Sequence, residues 1–339
     1  MVGFGSYLKD YLEFNNISQT EFADRIGVTQ KHLNELLNGK TNFSLEKIVG
    51  VSQITNIPID FILKEERRKY ISDGIIEKYG DLKSGEKELK KDYHVNELER
   101  RKWVNFQEIA NPVQVYIDLI DFLHVYDLDA LKVMQSKTLF KKQGNDINKL
   151  SLWIARCDEL SNSQKVLEYD SKKLPELIEK LKLYAYENEV NFDEITQIFN
   201  EYGIYFVHEK ALEGSKVRGC FKVKGKNPAI YVTQNYKTKD SLFFEIFHEL
   251  GHCKSNYNEA KSKVIVDGNE SQEKRADEFA INSMIDEKLW NENAEKLLDE
   301  KFMLDFSKKN KIPTSFIVGR LAMTGKIKYS SKYYNKYKK

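Results

Sequence analysis

Phe247-His248-Glu249-Leu250-Gly251-His252 is the stretch on which the fold of this chain turns. It reads H-E-x-x-H inside a run made apolar by Leu242, Phe243, Phe244, Ile246, Phe247 and Leu250, as a helix crossing a domain core would be. Residues four apart on an α-helix share one face, so His248 and His252 aim two imidazoles at one point. Glu249 lies beside them, with its carboxylate in reach of water at that point. Two nitrogen ligands, a general base and an open coordination position are what a peptidase zinc ion requires. Two surface histidines bracketing a glutamate would give the same pattern, but surface residues do not explain an apolar helix around them.

A tetrahedral catalytic zinc takes a third protein ligand. Glu273-Lys274-Arg275-Ala276-Asp277-Glu278-Phe279-Ala280 reads as a second helix, with Glu273, Ala276, Asp277, Ala280 and Met284 on one face. Small Ala276 and Ala280 let this helix approach the first. Glu273 can then ligate the metal, while Asp277, one turn on, accepts the free ring N–H of a ligand histidine and fixes its tautomer. Glu278 lies on another flank and Glu270 at the helix edge. His208, the nearest imidazole upstream, sits in strand-like surroundings that point to a structural role.

H-E-L-G-H followed by E-x-x-A-D-x-F-A resembles the ImmA/IrrE group of metallopeptidases. The resemblance implies that the E-x-x-A-D glutamate is the third ligand, in agreement with the facing argument. It also implies a small soluble peptidase domain, carrying one Zn2+, that cuts a specific regulatory protein of repressor or antitoxin type. The expected chemistry is metal-assisted peptide hydrolysis, in which Glu249 takes a proton from water and passes it to the leaving amine. Tyr231 and Tyr257 are candidate oxyanion donors. Asp286 departs from the proline that the family often has after the Phe-Ala helix, outside the proposed ligands.

Ahead of the metal helix, 203–207, 219–223 and 229–233 are short runs rich in Ile, Val and Tyr, and read as strands. A small sheet there would wall the cleft, with 229–233 as an edge that aligns substrate by backbone pairing.

The first part of the chain is patterned differently. Tyr7, Leu8, Tyr11 and Leu12 give one apolar face. Ser18-Gln19-Thr20-Glu21 has the form of a capping box opening a second helix, and Gly27 then makes a sharp turn. Thr29 caps a third helix with Leu33, Leu36 and Leu37 inside, and helices near 44–55 and 58–64 complete a five-helix unit. A helix, a glycine turn and a second short helix is the pattern of DNA-reading helix-turn-helix proteins. Gln30, Lys31, His32 and Asn34 then lie where side chains meet base edges or phosphates, while Thr29 and Gln19 reach the backbone. A small helical bundle for protein contact is the plainer reading. The six basic against seven acidic residues of 1–64 lend it support, since they leave no basic footprint. Ile17-Ser18-Gln19, Phe22-Ala23, Ile26-Gly27-Val28 and the run from His32 to Lys40 resemble the Xre/Cro-repressor-like domain, in particular its HigA antitoxin branch. That resemblance implies binding to operator DNA, with a homodimer as the usual form.

Between the two ends, Glu65-Glu66-Arg67-Arg68-Lys69 is a charge run that serves as a domain boundary or a solvated helix face. Apolar spacing at 113–125 and 150–160 suits helices, with Trp103 and Trp153 as core anchors and His94 and His124 structural. From Gly325 the tail interleaves Lys326, Lys328, Lys332, Lys336, Lys338 and Lys339 with tyrosines. It reads as a nucleic-acid contact, an unstructured end or a packed end.

With 339 residues, a formal charge of +2 and 41% hydrophobic residues, the chain can bury more than one core. Its near-balanced charge does not announce a nucleic-acid binder. No apolar run approaches a membrane span and no secretory pattern opens the chain, so a cytoplasmic location is expected. Cys157, Cys220 and Cys253 are odd in number and widely spaced, which argues against a disulfide framework. The expected architecture is mainly α with a small α+β part. It comprises a five-helix helix-turn-helix domain at 1–66, a helical connector at 67–190, and a zincin-like peptidase domain with a small sheet at 191–339. Two other classes of function share this sequence. One is a HigA-like antitoxin or repressor whose metal site is structural or sensory; the other is an interaction scaffold binding neither zinc nor DNA.

Overall fold

Three hydroxyl side chains set the start of the fold in the computed structural model, which describes residues 3–136, 146–234, 237–266 and 268–338. Ser18 accepts from the amide of Glu21 at 3.1 Å, Thr29 from His32 at 3.1 Å and Ser44 from Lys47 at 3.3 Å. Each satisfies an amide that a helix start leaves open. The caps divide the chain into α1 (Phe4–Phe14), α2 (Gln19–Ile26), α3 (Gln30–Leu37), α4 (Leu45–Thr55) and α5 (Ile59–Tyr79). Gly27 closes α2 at φ 65°, a left-handed conformation that glycine enters without a Cβ clash. Phe4, Leu8, Phe22, Leu33, Val51 and Ile62 fill the core of this bundle. The expected capping box is half-formed. Ser18 caps α2, but the Glu21 carboxylate pairs with Arg25 one turn on.

The charge run expected as a boundary or a solvated face lies inside α5, and part of it is buried. Glu66 accepts from the amides of Phe4 at 3.0 Å and Phe43 at 3.2 Å, tying α1 and the start of α4 to α5. Lys69 bonds Asn42 and Asp73. Arg68 is buried against Asp118, whose carboxylate also accepts from Gln114 at 2.8 Å and from the amide of Gln107 at 3.1 Å. Opposite charge and backbone amides compensate these groups, which is why they are tolerated inside. The unit continues through α6 (Glu86–Asp92) and α7 (Val95–Arg100), past the buried Trp103, to α8 (Pro112–Leu123).

The chain separates into two compact units, Met1–His124 and Val125–Lys339. The stretch expected as a connector is therefore shared between them. The second unit opens with α9 (Leu128–Ser136), α10 (Ile147–Ser161), α11 (Leu174–Glu187) and α12 (Phe192–Glu201). Strands β1 (Tyr205–His208), β2 (Gly219–Lys224) and β3 (Asn227–Val232) follow, close to the expected runs. The sheet order is β1-β3-β2, with β1 parallel and β2 antiparallel to β3. Trp153 of α10 donates to the carbonyl of Glu209 at 2.9 Å, and Asp158 of α10 accepts from the hydroxyl of Tyr231 at 2.6 Å. These bonds fasten α10 to the sheet, so it belongs with the strands that follow it in sequence. The unit ends with α13 (Lys239–Ala260), α14 (Glu270–Met284), α15 (Glu287–Asn293), α16 (Glu300–Asn310), α17 (Thr314–Met323) and α18 (Lys332–Tyr337).

The protein is mainly α with one small three-stranded sheet. Strand β3 is central, paired on both sides, so 229–233 has no open edge to offer a substrate. The C-terminal tail is packed as far as Lys338. Tyr333 donates to the carbonyl of Leu297 at 2.9 Å, Lys336 and Tyr337 meet Glu300, and Tyr334 is buried; Lys339 lies outside the described residues. Among the described residues no helix is long and apolar enough to cross a membrane.

Removing Asp118 would strand a buried guanidinium. We expect Asp118→Ala to cost about 3 kcal/mol or more, read as a matching fall in hydrogen-exchange protection across α5 and α8.

Candidate metal centre and nucleic-acid interface

Helix α13 crosses the core with His248, Glu249 and His252 all buried. Helix α14 begins at a reciprocal cap. Asn269 accepts from the amide of Gln272 at 3.0 Å, and the Gln272 side chain accepts from the amide of Asn269 at 2.8 Å. This box fixes where the helix starts, and so places Glu273 in its first turn. The two helices meet where Gly251 faces Ala276. A Cβ on Gly251 would stand 3.0 Å from the Ala276 Cα and 3.2 Å from the Phe279 ring.

The donors of the three expected ligands, His248, His252 and Glu273, all lie within 4.8 Å of one another. Nε2 of His248 is 3.1 Å from Nε2 of His252 and 3.4 Å from Glu273 Oε2. Nε2 of His252 is 3.3 Å from Glu273 Oε1. Bonds of about 2.0–2.1 Å at tetrahedral angles set ligand atoms about 3.3 Å apart, which these distances match. The other ring nitrogens face acceptors. Nδ1 of His248 is 2.8 Å from Asp277 Oδ1, and Nδ1 of His252 is 3.3 Å from Asn256 Oδ1. An acceptor at Nδ1 assigns the proton there and leaves the Nε2 lone pair outward. Two lone pairs and a carboxylate then converge, an arrangement that holds together only around a proton or a cation. The residues fit a divalent ion of the zinc type.

Neighbouring groups steady the ligands. The Gly268 amide donates to Glu273 Oε1 at 2.5 Å. Asn256 donates to Glu259 at 3.4 Å, and Glu259 also accepts from Gln272 at 2.7 Å. Asn256 was legible as the residue one turn beyond His252; Gln272 could have been found as the partner in Asn269-x-x-Gln272. Burial works against a charged His248 ring, but Asp277, Glu273, Glu249 and Glu245 outweigh it and hold its pKa up at about 10. Burial likewise opposes ionisation of Glu273, yet the two histidines hold its carboxyl well below the usual range.

Glu249 is almost wholly buried beside Gly219, the first residue of β2. A Cβ at Gly219 would overlap Glu249 Oε1, so a larger residue here would have to displace that carboxylate. No periodicity in the sequence marks this contact. Phe221 exchanges both backbone bonds with Ile265 on the outer side of β2, at 2.8 and 2.9 Å. By strand alternation Gly219 also turns its amide and carbonyl outward.

The hydroxyls of the expected oxyanion donors are bonded to other groups. Tyr231 is fully buried with its hydroxyl on Asp158, and Tyr257 donates to the carbonyl of Lys226 at 2.6 Å. His208 stacks on Phe192, and burial pulls its imidazole down to about 4, in keeping with a structural role.

In the first unit, α3 buries Leu33, Leu36 and Leu37 and exposes Gln30, Lys31 and Asn34, with His32 half-buried near Glu35. Thr29 is exposed and already accepts from the α3 amide of His32, while half-buried Gln19 opens α2. Lys47 is occupied with the Ile26 carbonyl at 2.9 Å. The family model described as helix-turn-helix matches residues 8–62. This segment is a helix-turn-helix domain, and the chain to that extent is a DNA-binding regulator. No curated protein and no solved structure matches the chain.

Two outcomes are expected at the metal centre. Asp277→Asn should weaken zinc binding by about 10- to 100-fold without unfolding the chain, measured by competition with a chelating dye. Because Asp277 and Glu273 favour the charged His248 ring despite its burial, uptake of a divalent ion there would displace a proton. Apparent metal affinity therefore rises with pH through neutrality, and calorimetry in buffers of different ionisation enthalpy should register proton release.

Proposed function

We propose that this chain is a DNA-binding regulator fused to a zinc-dependent endopeptidase that cleaves a specific regulatory protein of the repressor or antitoxin type. The observation that carries the reading is the convergence of His248, His252 and Glu273 with Glu249 alongside. Three protein donors, among the described residues, leave a coordination position open, as in catalytic sites; structural zinc sites take four. When bound, the ion supplies Lewis acidity to water and to a peptide carbonyl.

The chain's own residues divide the remaining work. Glu249 holds the proton of the attacking water at its carboxylate and delivers it to the leaving amine. Asp277 and Asn256 orient the two rings through Nδ1. Pairing of an extended substrate by 229–233, which the sequence had suggested, finds no open edge on the central strand β3. In the first unit, Gln30, Lys31, His32 and Asn34 meet operator DNA, with Gln19 and Thr29 on phosphates and a homodimer as the DNA-bound form.

Glu249→Gln should keep zinc and abolish cleavage, with a loss of at least 100-fold. The check is a search for protein fragments that accumulate in cells only when Glu249 is intact; fragments persisting in the variant would remove the mechanism. Gly219→Ala should also keep zinc and lose cleavage, because its methyl displaces the Glu249 carboxylate.

On DNA, Lys31→Ala should weaken binding across all sequences and reduce the salt slope by about 1. Gln30→Ala should instead relax specificity at one base pair by about 1–3 kcal/mol. Competition binding at several salt concentrations separates the two.

A further inference from the structure

Beside the metal centre, on the same two helices, lies a cavity of ≈ 210 Å³. Phe244 of its wall is one turn before His248 on α13, with ring centroids 6.3 Å apart. Ile281 is one turn beyond Asp277 on α14, and Met284 and Phe316 continue the apolar lining. Its acid is Asp240, in the first turn of α13 and only 6% exposed.

Asp240 is an unusual group to find there. Its Oδ2 accepts from the Tyr334 hydroxyl at 3.2 Å and rests against Gly319, where a Cβ would come within 2.5 Å of it. Its Oδ1 makes no hydrogen bond of ordinary geometry among the described residues, while the Thr238 hydroxyl and the Ser241 amide favour the ionised carboxylate from nearby. Neither arginine that lines the cavity forms an ion pair with Asp240, although the Nε of Arg320 is itself buried without a hydrogen-bond partner among the described residues. Arg218 pairs with Glu245 at 2.9 Å, and Arg320 donates to the Ile285 carbonyl with its guanidinium 4.6 Å over the Trp290 ring. Burial pushes the Asp240 carboxyl above the usual range. A buried carboxylate without an ion-pair partner is costly, and a ligand that brings the cation removes the cost.

We propose that this cavity binds a basic side chain, lysine or arginine. The aliphatic stem lies against Phe244, Ile281, Met284 and Phe316, and the charged tip sits on Oδ1 of Asp240. That the side chain belongs to the protein substrate rests on the peptidase reading. The position of the cavity one turn from His248 would then make Asp240 the residue that selects where the substrate is held.

The test uses the full chain carrying Glu249→Gln, with and without zinc, and capped single residues as probes in ligand-observed NMR. N-acetyl-lysine methylamide should bind at least tenfold more tightly than its norleucine, Nε-acetyl-lysine and glutamate counterparts. Asp240→Asn should erase that preference while metal content stays unchanged. Equal binding of lysine and norleucine probes by the chain with Asp240 intact would overturn the proposal without any further variant. So would a lysine preference that survives Asp240→Asn. Because binding is read apart from cleavage, a lysine preference in a chain that takes up no zinc would support the cavity while removing the peptidase.

Discussion

The close approach of three ligand atoms, which a shared proton or a cation makes tolerable, is the constraint around which the second unit is built. Two imidazole nitrogens and a carboxylate are held within 3.1–3.4 Å of each other, which no isolated helix would do. The fold supplies the restraint through packing. Gly251 lets α14 lie close against α13, the Asn269–Gln272 box fixes where α14 begins, and Asp277 and Asn256 grip the far side of each ring. Each device acts on position rather than chemistry, so the three candidate ligand atoms face one another while their supports are spent on ordinary hydrogen bonds.

The first unit solves a different problem with similar means. Charged residues of α5 turn inward, and each finds compensation. Glu66 receives two backbone amides, Arg68 meets Asp118, and Lys69 meets Asn42 and Asp73. The outward face of α3 is thereby left to polar residues with no part in the core. On α3 itself, Leu33, Leu36 and Leu37 face the core while Gln30, Lys31 and Asn34 are exposed.

What the sequence disclosed follows the range of the interactions involved. H-E-x-x-H, the face of Glu273 and Asp277, the glycine turn at Gly27 and the serine and threonine caps are local patterns. Each was readable because helical periodicity fixes neighbours three and four residues apart. Strand positions were readable for the same reason, but strand order was not. Pairing on both sides of β3 depends on partners far away in the chain, and it leaves 229–233 without an open edge. The contact of Gly219 with Glu249, and the capture of the Tyr231 hydroxyl by Asp158, arise only in three dimensions. The charge run at 65–69 misled for the complementary reason. Composition announces solvent, whereas burial was decided by Asp118, some fifty residues away.

The donor set at α13 and α14 contains nitrogen and oxygen but no sulfur. All three cysteines are buried as thiols, and burial pushes Cys253, the neighbour of His252, up to about 12. Thiolates are what oxidants attack, and none stands at or beside the candidate ligands. A divalent ion held by such a donor set would not be exposed to loss through ligand-thiolate oxidation.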